Sequence, residues 1–274
     1  MAKAKRAPLW QVLIEQGYFA DRKTATGWVM AGRVLVDDRR VEKAGQPVAV
    51  DAAIRVKGIE LPYVGKGGLK LAGALQAFGI DPTDRVALDS GASTGGFTDC
   101  LLQHGAARVY AIDVGYGQLA GKLRNDPRVV NLERTNLGDV TPESLDPRPS
   151  LASIDLSYLS LKQAIPMVAR LLAPGGEMLC LVKPLFEVQD AAARRSGRLD
   201  DPAVFAGVLS DIAAFCGALG YGVGGVTHSP VTGNSGTREF FLRVKPDEAG
   251  VPADLTEQIE RAVAAAMRLE VYGK

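Results

Sequence analysis

The sequence has few of the residues that mark several classes of protein. Its 274 residues include three cysteines and two histidines, and 6% of them are aromatic. The cysteines lie far apart with no C-x-x-C spacing, which argues against a metal or redox motif and fits a reducing compartment. No apolar run approaches the roughly 18–20 residues that cross a bilayer. The basic first residues lack a following apolar stretch, so we expect no signal peptide, no membrane partner and a cytoplasmic location.

The composition is that of a folded globular protein. Hydrophobic residues make up 47% and charged residues 23% of the chain, which excludes intrinsic disorder. The formal net charge is +1, but the charge is unevenly distributed. Residues 1–64 contain eleven Lys or Arg against seven Asp or Glu, and the remaining residues carry a surplus of three negative charges. A basic end on a mildly acidic body indicates a polyanionic partner for that end.

The first sixty residues predict a small α+β unit. Apolar positions from Leu9 onwards indicate a helix that Gly17 ends, and Asp21 is placed to cap a second helix that ends at Gly32. Short strands are predicted at Val34–Val36, Val48–Val50 and Ile54–Val56. A connector with Gly and Pro follows, so we place a domain boundary near residue 61, which gives domains of residues 1–61 and 62–274.

Beyond the connector, predicted strands and helices alternate. The strands are Val86–Asp89, Val109–Ile112, Val129–Asn131, Leu151–Ile154, Met178–Val182, Gly222–Thr227 and Glu239–Val244. The helices are Lys70–Phe78, Gly96–His104, Tyr116–Leu123, Leu161–Leu172, Ala203–Leu219 and Leu255–Leu269. Repeated β-α-β units with apolar strands predict an α/β fold with a mostly parallel, doubly wound sheet.

A glycine-rich turn follows the first strand of this sheet. Doubly wound sheets bind ligands at this point, and three glycines within six residues allow a close backbone approach. The turn is not the G-x-G-x-x-G dinucleotide motif. Asp113, which ends the next strand, is placed to accept hydrogen bonds from a ribose diol. The candidate ligand-binding residues are Asp89, Gly91, Ala92, Ser93, Thr94, Gly95, Gly96, Phe97, Asp113 and Val114. The alternative is a tight strand–helix turn that binds no ligand.

Two charged residues of opposite sign follow two further strands. Asp155 ends one strand and Lys183 ends the next. A single charged residue there is usually solvated, but two on neighbouring strands would meet at the carboxyl edge of the sheet. Asp155 and Lys183 are therefore candidate site residues.

The N-terminal unit resembles the S4-type RNA-binding domain. The similarity covers roughly residues 8–58 and rests on the stretches Asp21–Ala25 and Ala31–Val36. It implies RNA contacts by basic side chains, and the sequence offers the candidates Arg22, Lys23, Arg33, Arg39, Arg40 and Lys66. The alternative is a small scaffold whose charges only keep it in solution.

Most of the chain, from about residue 8 to 245, resembles the TlyA family. The motifs that carry the likeness are Asp89–Phe97, Tyr110–Gly117, Asp155–Ser160 and Leu181–Glu187. This family, historically called haemolysins, joins an S4 domain to a Rossmann-like, FtsJ-like catalytic domain that methylates ribosomal RNA on the ribose 2′-oxygen. Residues 189–198, rich in Ala and Arg, replace a glycine-rich loop of the family that faces the substrate.

The resemblance implies S-adenosyl-L-methionine as cofactor and ribosomal RNA or a ribosomal subunit as partner, with no obligate protein partner. It also implies a catalytic tetrad of Lys70, Asp155, Lys183 and Glu239. Lys183 would contact the 2′-hydroxyl, either as a neutral base or as a charged donor, and the two acids would hold the two amines in place. This chemistry needs no metal, and the sequence contains no His/Cys/Asp cluster.

Three other functions are open from the sequence. A membrane-acting haemolysin is disfavoured because the one amphipathic stretch, Leu255–Leu269, has no aromatic anchor. A non-catalytic RNA-binding assembly factor is disfavoured because all four tetrad positions are filled. A Rossmann oxidoreductase is disfavoured because residues 91–96 do not suit a pyrophosphate.

Overall fold

The computed structural model describes residues 6–19, 21–37, 39–50, 52, 54–58, 61–188, 199–233 and 236–269. The loop expected at residues 189–198 lies outside this part of the chain. The strands are β1 Arg6–Pro8, β2 Val34–Val36, β3 Arg39–Arg40, β4 Pro47–Ala49, β5 Ile54–Val56, β6 Val86–Ser90, β7 Arg108–Asp113, β8 Val129–Glu133, β9 Leu151–Ile154, β10 Glu177–Val182, β11 Gly222–His228 and β12 Phe240–Lys245. The helices are α1 Leu9–Glu15, α2 Arg22–Met30, α3 Lys66–Phe78, α4 Gly96–Gln103, α5 Gly121–Arg124, α6 Leu161–Ala169, α7 Pro184–Glu187, α8 Pro202–Ala218 and α9 Leu255–Met267.

The N-terminal part has two small sheets and a core of its own. Strands β3, β2 and β5 form one antiparallel sheet, and β1 pairs with β4 in the other. Asp21 caps α2 by accepting a hydrogen bond from Thr24 N at 2.8 Å, as its position predicts. Leu9, Leu13 and Val29 are fully buried between the helices and the sheets. The sequence did not predict β1, because its three residues are held only by pairing with a distant strand.

A seven-stranded sheet with the order β11-β12-β10-β9-β6-β7-β8 forms the centre of the larger part. Strands β10, β9, β6, β7 and β8 are parallel, whereas β12 and β11 are antiparallel. Helices cover both faces. Met178, Cys180 and Val182 of β10 pack towards α6, α8 and α9, while Leu179 and Leu181 pack towards α3 and α4. The predicted doubly wound α/β fold is confirmed.

Two predicted helices differ from the structure. The helix expected at Tyr116–Leu123 is wrong, since only Gly121–Arg124 is helical. Residues before it form a loop because Gly117 has φ +70°, and the Glu133 carboxylate accepts hydrogen bonds from the backbone N–H groups of residues 118 and 119. The helix expected from Lys70 begins four residues earlier, at Lys66. Its second and third residues are glycines because its first turn packs closely on Tyr63 and on the start of α4.

The edge strand β11 is covered by the C-terminal segment. Helix α9 packs beside it, with Ile259 and Val263 buried in the core. Val223 N donates to Gly250 O at 2.8 Å, and Val226 N donates to the Gln258 side chain at 3.1 Å. These backbone donors, which do not pair with β12, are therefore already engaged.

Candidate functional site

The glycine-rich turn between β6 and α4 is tied to the neighbouring strand. The N–H groups of Gly91 and Ala92 both donate to Ile112 O, at 2.9 and 3.0 Å. Gly91 has φ +91° and Gly95 has φ +97°, a backbone region that glycine adopts readily. A Cβ at Gly95 would collide with the Leu123 side chain. The turn thus needs glycine at residue 95 for contacts within the protein.

Asp113 and Asp89 are placed differently in this crevice. Asp113 is partly exposed at the end of β7, and its carboxylate accepts hydrogen bonds from Ser93 N at 2.8 Å and Gly115 N at 2.7 Å. Asp89 is completely buried beneath the turn and accepts a hydrogen bond from the Thr98 hydroxyl at 2.7 Å. Burial raises the pKa of Asp89 to about 7, although the bond from Thr98 opposes this. Asp89 therefore lies below the turn, where it does not face the crevice as Asp113 does.

Several features of the crevice fit an adenosyl cofactor. The Ser90 hydroxyl, at the end of β6, is buried and has no hydrogen-bond partner among the residues that the structure describes. Ser93 and Val114 are exposed beside the partly exposed Asp113 carboxylate. A polar ligand would satisfy the hydroxyl, a ribose suits the carboxylate, and the apolar surface of Val114 suits an adenine ring.

The four residues of the expected tetrad lie together at the carboxyl edge of the sheet. Lys70, one turn into α3, forms an ion pair with Glu239 at 2.6 Å between Nζ and Oε2. Lys183, directly after β10, forms an ion pair with Asp155, directly after β9. Lys70 and Glu239 are buried, and the other two side chains are largely buried. The four side chains thus form two neighbouring ion pairs, each between a lysine and an acid.

The two pairs influence each other. Burial favours the neutral amine of Lys70, but the negative charges of Glu239 and Asp155 outweigh it and raise the pKa of Lys70. Burial also favours the neutral acid at Asp155, but Lys183 and Lys70 outweigh this effect and lower the pKa of Asp155. Asp155 therefore remains a carboxylate between two amines.

Lys66 lies on the same side of α3 as Lys70, one turn earlier. It is half-buried, and its side chain packs against the turn at Gly17 of the N-terminal part. Burial, and then the charge of Lys70, lower the pKa of Lys66 to about 8. Lys66 therefore stands between the N-terminal part and the two ion pairs, whereas the other five basic residues expected to contact RNA are exposed on the N-terminal part.

Three exposed aromatic side chains lie at the carboxyl edge of the sheet. Tyr116, Tyr158 and Phe186 are 68%, 51% and 47% exposed, and each follows the carboxyl end of a parallel strand. The Arg134 guanidinium lies 3.7 Å from the ring centroid of Tyr116. Arg134 has φ +57°, a strained conformation for a residue with a side chain. Exposed aromatic rings with a stacked arginine form a surface on which unpaired bases can stack.

Sequence reasoning missed Glu133. It is the last residue of β8, and its carboxylate accepts hydrogen bonds from Gln118 N at 2.8 Å and Leu119 N at 3.1 Å. Burial opposes the charged form, but the backbone bonds outweigh it and lower the pKa of Glu133. The rule that identified Asp155 and Lys183, a charge at the end of an apolar strand, would also have found Glu133. The predicted strand ended two residues too early.

Comparison with known proteins identifies relatives of this chain. A family model described as FtsJ-like methyltransferase matches residues 63–245. YqxC of Bacillus subtilis, named as an rRNA methyltransferase, is 42% identical over 257 residues, which are 93% of this chain and 92% of the relative. The 16S/23S rRNA (cytidine-2′-O)-methyltransferase TlyA of Mycobacterium tuberculosis is 40% identical over 264 residues, 95% of this chain and 98% of the relative.

A solved structure agrees over nearly the whole chain. It comes from Streptococcus thermophilus, carries the name hemolysin, and is 36% identical with a TM-score of 0.81 and coverage of 96% of both chains. In the part of the present chain that the structure describes, no helix has the length and apolar character needed to cross a membrane.

Proposed function

The chain belongs to the FtsJ-like methyltransferases and, within them, to the TlyA family, and on this premise we propose that it methylates a ribose 2′-hydroxyl of ribosomal RNA. The observation that carries the proposal is the pair of ion pairs, Lys183 with Asp155 and Lys70 with Glu239, beside the glycine-rich turn. It is the arrangement expected where a hydroxyl must be oriented next to a cofactor crevice.

S-adenosyl-L-methionine, when bound, supplies an electrophilic methyl group for the ribose oxygen. The residues that would hold it are the turn from Gly91 to Phe97, with Asp113 and Val114. Asp89 acts through the turn, because its bond to Thr98 joins β6 to the first residues of α4. Glu133 positions the loop before α5. Leu119 of this loop and Leu123 of α5 lie close to Gly95.

Lys183 is the residue that contacts the substrate hydroxyl. Its Nζ is held by Asp155 and donates to the Ser157 hydroxyl at 3.0 Å and to Leu156 O at 3.4 Å. The substrate 2′-hydroxyl replaces the longest of these contacts and accepts a hydrogen bond from the ammonium. Lys183 would then stabilise the negative charge that develops on the oxygen while the hydroxyl proton passes to water. Lys183, and after it Lys70, lower the pKa of Asp155, so that Asp155 stays ionised and continues to orient Lys183.

The surfaces around these residues suit RNA. The rings of Tyr116, Tyr158 and Phe186 provide stacking surfaces for bases that have left a helix. The N-terminal part, which we assign as an S4-type domain within residues 1–61, presents exposed cations for phosphate contacts. In two cases the guanidinium lies over a tryptophan ring: Arg22 over Trp10 at 4.8 Å and Arg33 over Trp28 at 5.0 Å.

The proposal is tested with the full-length protein and tritiated S-adenosylmethionine. Ribosomal subunits are prepared from host cells with and without the gene and are used as acceptors. We expect methyl incorporation into the RNA of subunits from cells without the gene, at a ribose 2′-oxygen located by mass spectrometry of nuclease fragments. Subunits from cells that have the gene are the control and should accept no more methyl. Incorporation into a base, or none into either kind of subunit, would refute the proposal.

A further inference from the structure

The loop between β11 and β12 carries two buried polar side chains with unused hydrogen-bonding groups. Arg238 is 6% exposed and Thr232 is 1% exposed. Among the residues that the structure describes, Nε and Nη1 of Arg238 and Oγ1 of Thr232 have no hydrogen-bond partner. Buried guanidinium N–H groups without an acceptor are costly, because they have lost hydration and gained no bond in return. A native protein that keeps such a group points to an acceptor that arrives from outside.

Backbone hydrogen bonds hold together the two arms of the loop that carry Thr232 and Arg238. Ser229 N donates to Glu239 O at 2.9 Å, and Gly233 N donates to Thr237 O at 2.8 Å. Thr232 and Arg238 therefore lie on opposite arms of the loop, between the same two backbone contacts. Both side chains belong to the loop that ends in a tetrad residue.

The backbone of Arg238 lies near that of the proposed catalytic lysine. Phe240 pairs with Val182 in the antiparallel contact between β12 and β10. Arg238 precedes Phe240 by two residues, and Lys183 follows Val182 directly. Arg238 and Lys183 therefore lie just beyond the same end of two paired strands.

We propose that Arg238, assisted by Thr232, binds a backbone phosphate of the RNA next to the ribose that is methylated. The inference rests on the proposed function and specifies how its substrate is held. A guanidinium offers parallel N–H donors that match two phosphate oxygens, and a hydroxyl adds a further donor. The 2′-hydroxyl and the 3′-phosphate are attached to adjacent ribose carbons. A phosphate fixed beside Lys183 therefore also fixes the hydroxyl that Lys183 contacts.

A second anion, the carboxylate of S-adenosylmethionine, has the same chemistry. Its crevice lies between β6 and β7, and β12 is separated from β6 by β10 and β9. Three strand spacings amount to roughly 14 Å. The position of Arg238 therefore favours the acceptor RNA over the cofactor.

The test compares the full-length wild type with Arg238→Met, which keeps the apolar stem and removes the charge. Arg261→Met, an exposed residue of α9, is the matched control for loss of one positive charge. Binding to ribosomal subunits from cells without the gene is measured by filter retention across a salt series. Binding to S-adenosylhomocysteine is measured by calorimetry, and the melting temperature is recorded for each protein.

We expect Arg238→Met to weaken subunit binding roughly 10- to 100-fold, the effect of losing a charged hydrogen bond. The slope of log affinity against log salt should fall by about one. The affinity for S-adenosylhomocysteine should not change, and the melting temperature should stay level or rise, since an unpaired buried charge is removed. Arg261→Met should match the wild type in every measurement.

Unchanged subunit binding in Arg238→Met would overturn the inference while leaving the proposed function intact. Lost cofactor binding with normal subunit binding would overturn it in favour of the cofactor carboxylate. A clearly lower melting temperature in both Arg238→Met and Arg238→Lys would assign the residue a structural role and overturn it as well. If the wild type neither binds nor methylates the subunits, the proposed function itself is refuted. The wild-type measurements alone distinguish this result from failure of the inference about Arg238.

Discussion

Single charged residues determine the chemistry at the carboxyl edge of the sheet, and Lys183 is held there by three groups. It is paired with Asp155 and donates to Ser157 and Leu156. Its amine is therefore fixed in position before any substrate arrives. Removing it leaves Asp155 with Lys70 as its remaining cation, so the loss affects the charge balance of the site as well as the contact to the hydroxyl.

Lys183→Ala should abolish most methyl transfer and leave ligand binding largely intact. The lost interaction acts mainly in the transition state, so the single-turnover rate should fall by about 10²–10⁴-fold. The affinity for S-adenosylhomocysteine should change by less than about threefold, since Lys183 does not line the glycine-rich turn. Lys162→Ala, which removes a lysine paired with Asp211 at the surface, is the control. A Lys183→Ala enzyme with more than a tenth of the wild-type rate would contradict the assignment.

Asp89→Asn should remove the loss of folding stability that the ionisation of Asp89 causes as pH rises. The pKa of Asp89 is raised from 3.8 to about 7, so between these values the folded protein holds a proton that the unfolded chain has lost. The contribution of Asp89 to the stability of the wild type therefore falls as pH rises from about 4 to 7. The asparagine variant lacks this effect, and its free energy of unfolding relative to wild type should increase over the same range, by at most roughly 4 kcal/mol.

Urea unfolding of both proteins at several pH values measures this difference. Asp81→Asn is the control: hydrogen bonds from Thr83 lower the pKa of Asp81, so its contribution changes only in more acidic solution. A difference between Asp89→Asn and wild type that is constant from pH 4 to 7 would show that Asp89 is ionised throughout.

At the scale of helices and strands, periodicity predicted most of the sheet and less of its connections. Strands such as β9 and β10 are apolar runs between turn residues, and their parallel pairing places Asp155 and Lys183 side by side. Lys70 and Glu239, by contrast, were assigned from family resemblance, because α3 and β12 come together only in the folded sheet. The loop held by Glu133 could not be predicted, since its backbone is stabilised by a carboxylate from another strand.

The turn after β6 shows why glycine positions need a structure for their interpretation. The sequence suggests that Gly95 leaves space for a ligand, but a side chain there would meet Leu119 and Leu123. Gly95→Ala should therefore lower the melting temperature by several degrees and weaken S-adenosylhomocysteine binding, since φ +97° is also unfavourable for alanine.

Gly121→Ala is the matched control, because Gly121 begins α5 with open space around its Cα. Alanine there should be neutral or stabilising, since it is the better helix former. Calorimetry and thermal denaturation of the two variants test the contrast. Equal behaviour of the two would mean that α5 adjusts to the added methyl group at residue 95.

At the scale of the whole molecule, the N-terminal part contacts the catalytic part close to the tetrad. Gly17, at the end of α1, packs against Lys66, and Lys66 lies one turn from Lys70. Contacts that RNA is proposed to make with the small basic part would thus be connected to the proposed catalytic charges through the half-buried Lys66. The wider distribution of charge is consistent with this division, because the basic surplus lies within residues 1–64.

Replacing Lys23 and Arg39 together with glutamine should weaken binding to ribosomal subunits and reduce its salt dependence. Both side chains are exposed on the N-terminal part. Each lost phosphate contact should lower the slope of log affinity against log salt by about one, and cofactor affinity should not change. The double variant Arg261→Gln, Arg268→Gln, with the same charge loss on α9, is the control. Equal salt slopes for both double variants would show that the N-terminal part does not contact RNA phosphates.

The segment after β12 has a consequence for how copies of the protein behave when they are concentrated. The family model ends at residue 245, so Gly250 and Gln258, which engage the outer N–H groups of β11, lie beyond it. An open strand edge is a template on which a second chain can add a strand and begin an aggregate. A version cut after residue 245 would keep every proposed catalytic charge and still expose such a template. We therefore expect the segment that contains Gly250 and Gln258 to limit self-association of the chain at high concentration.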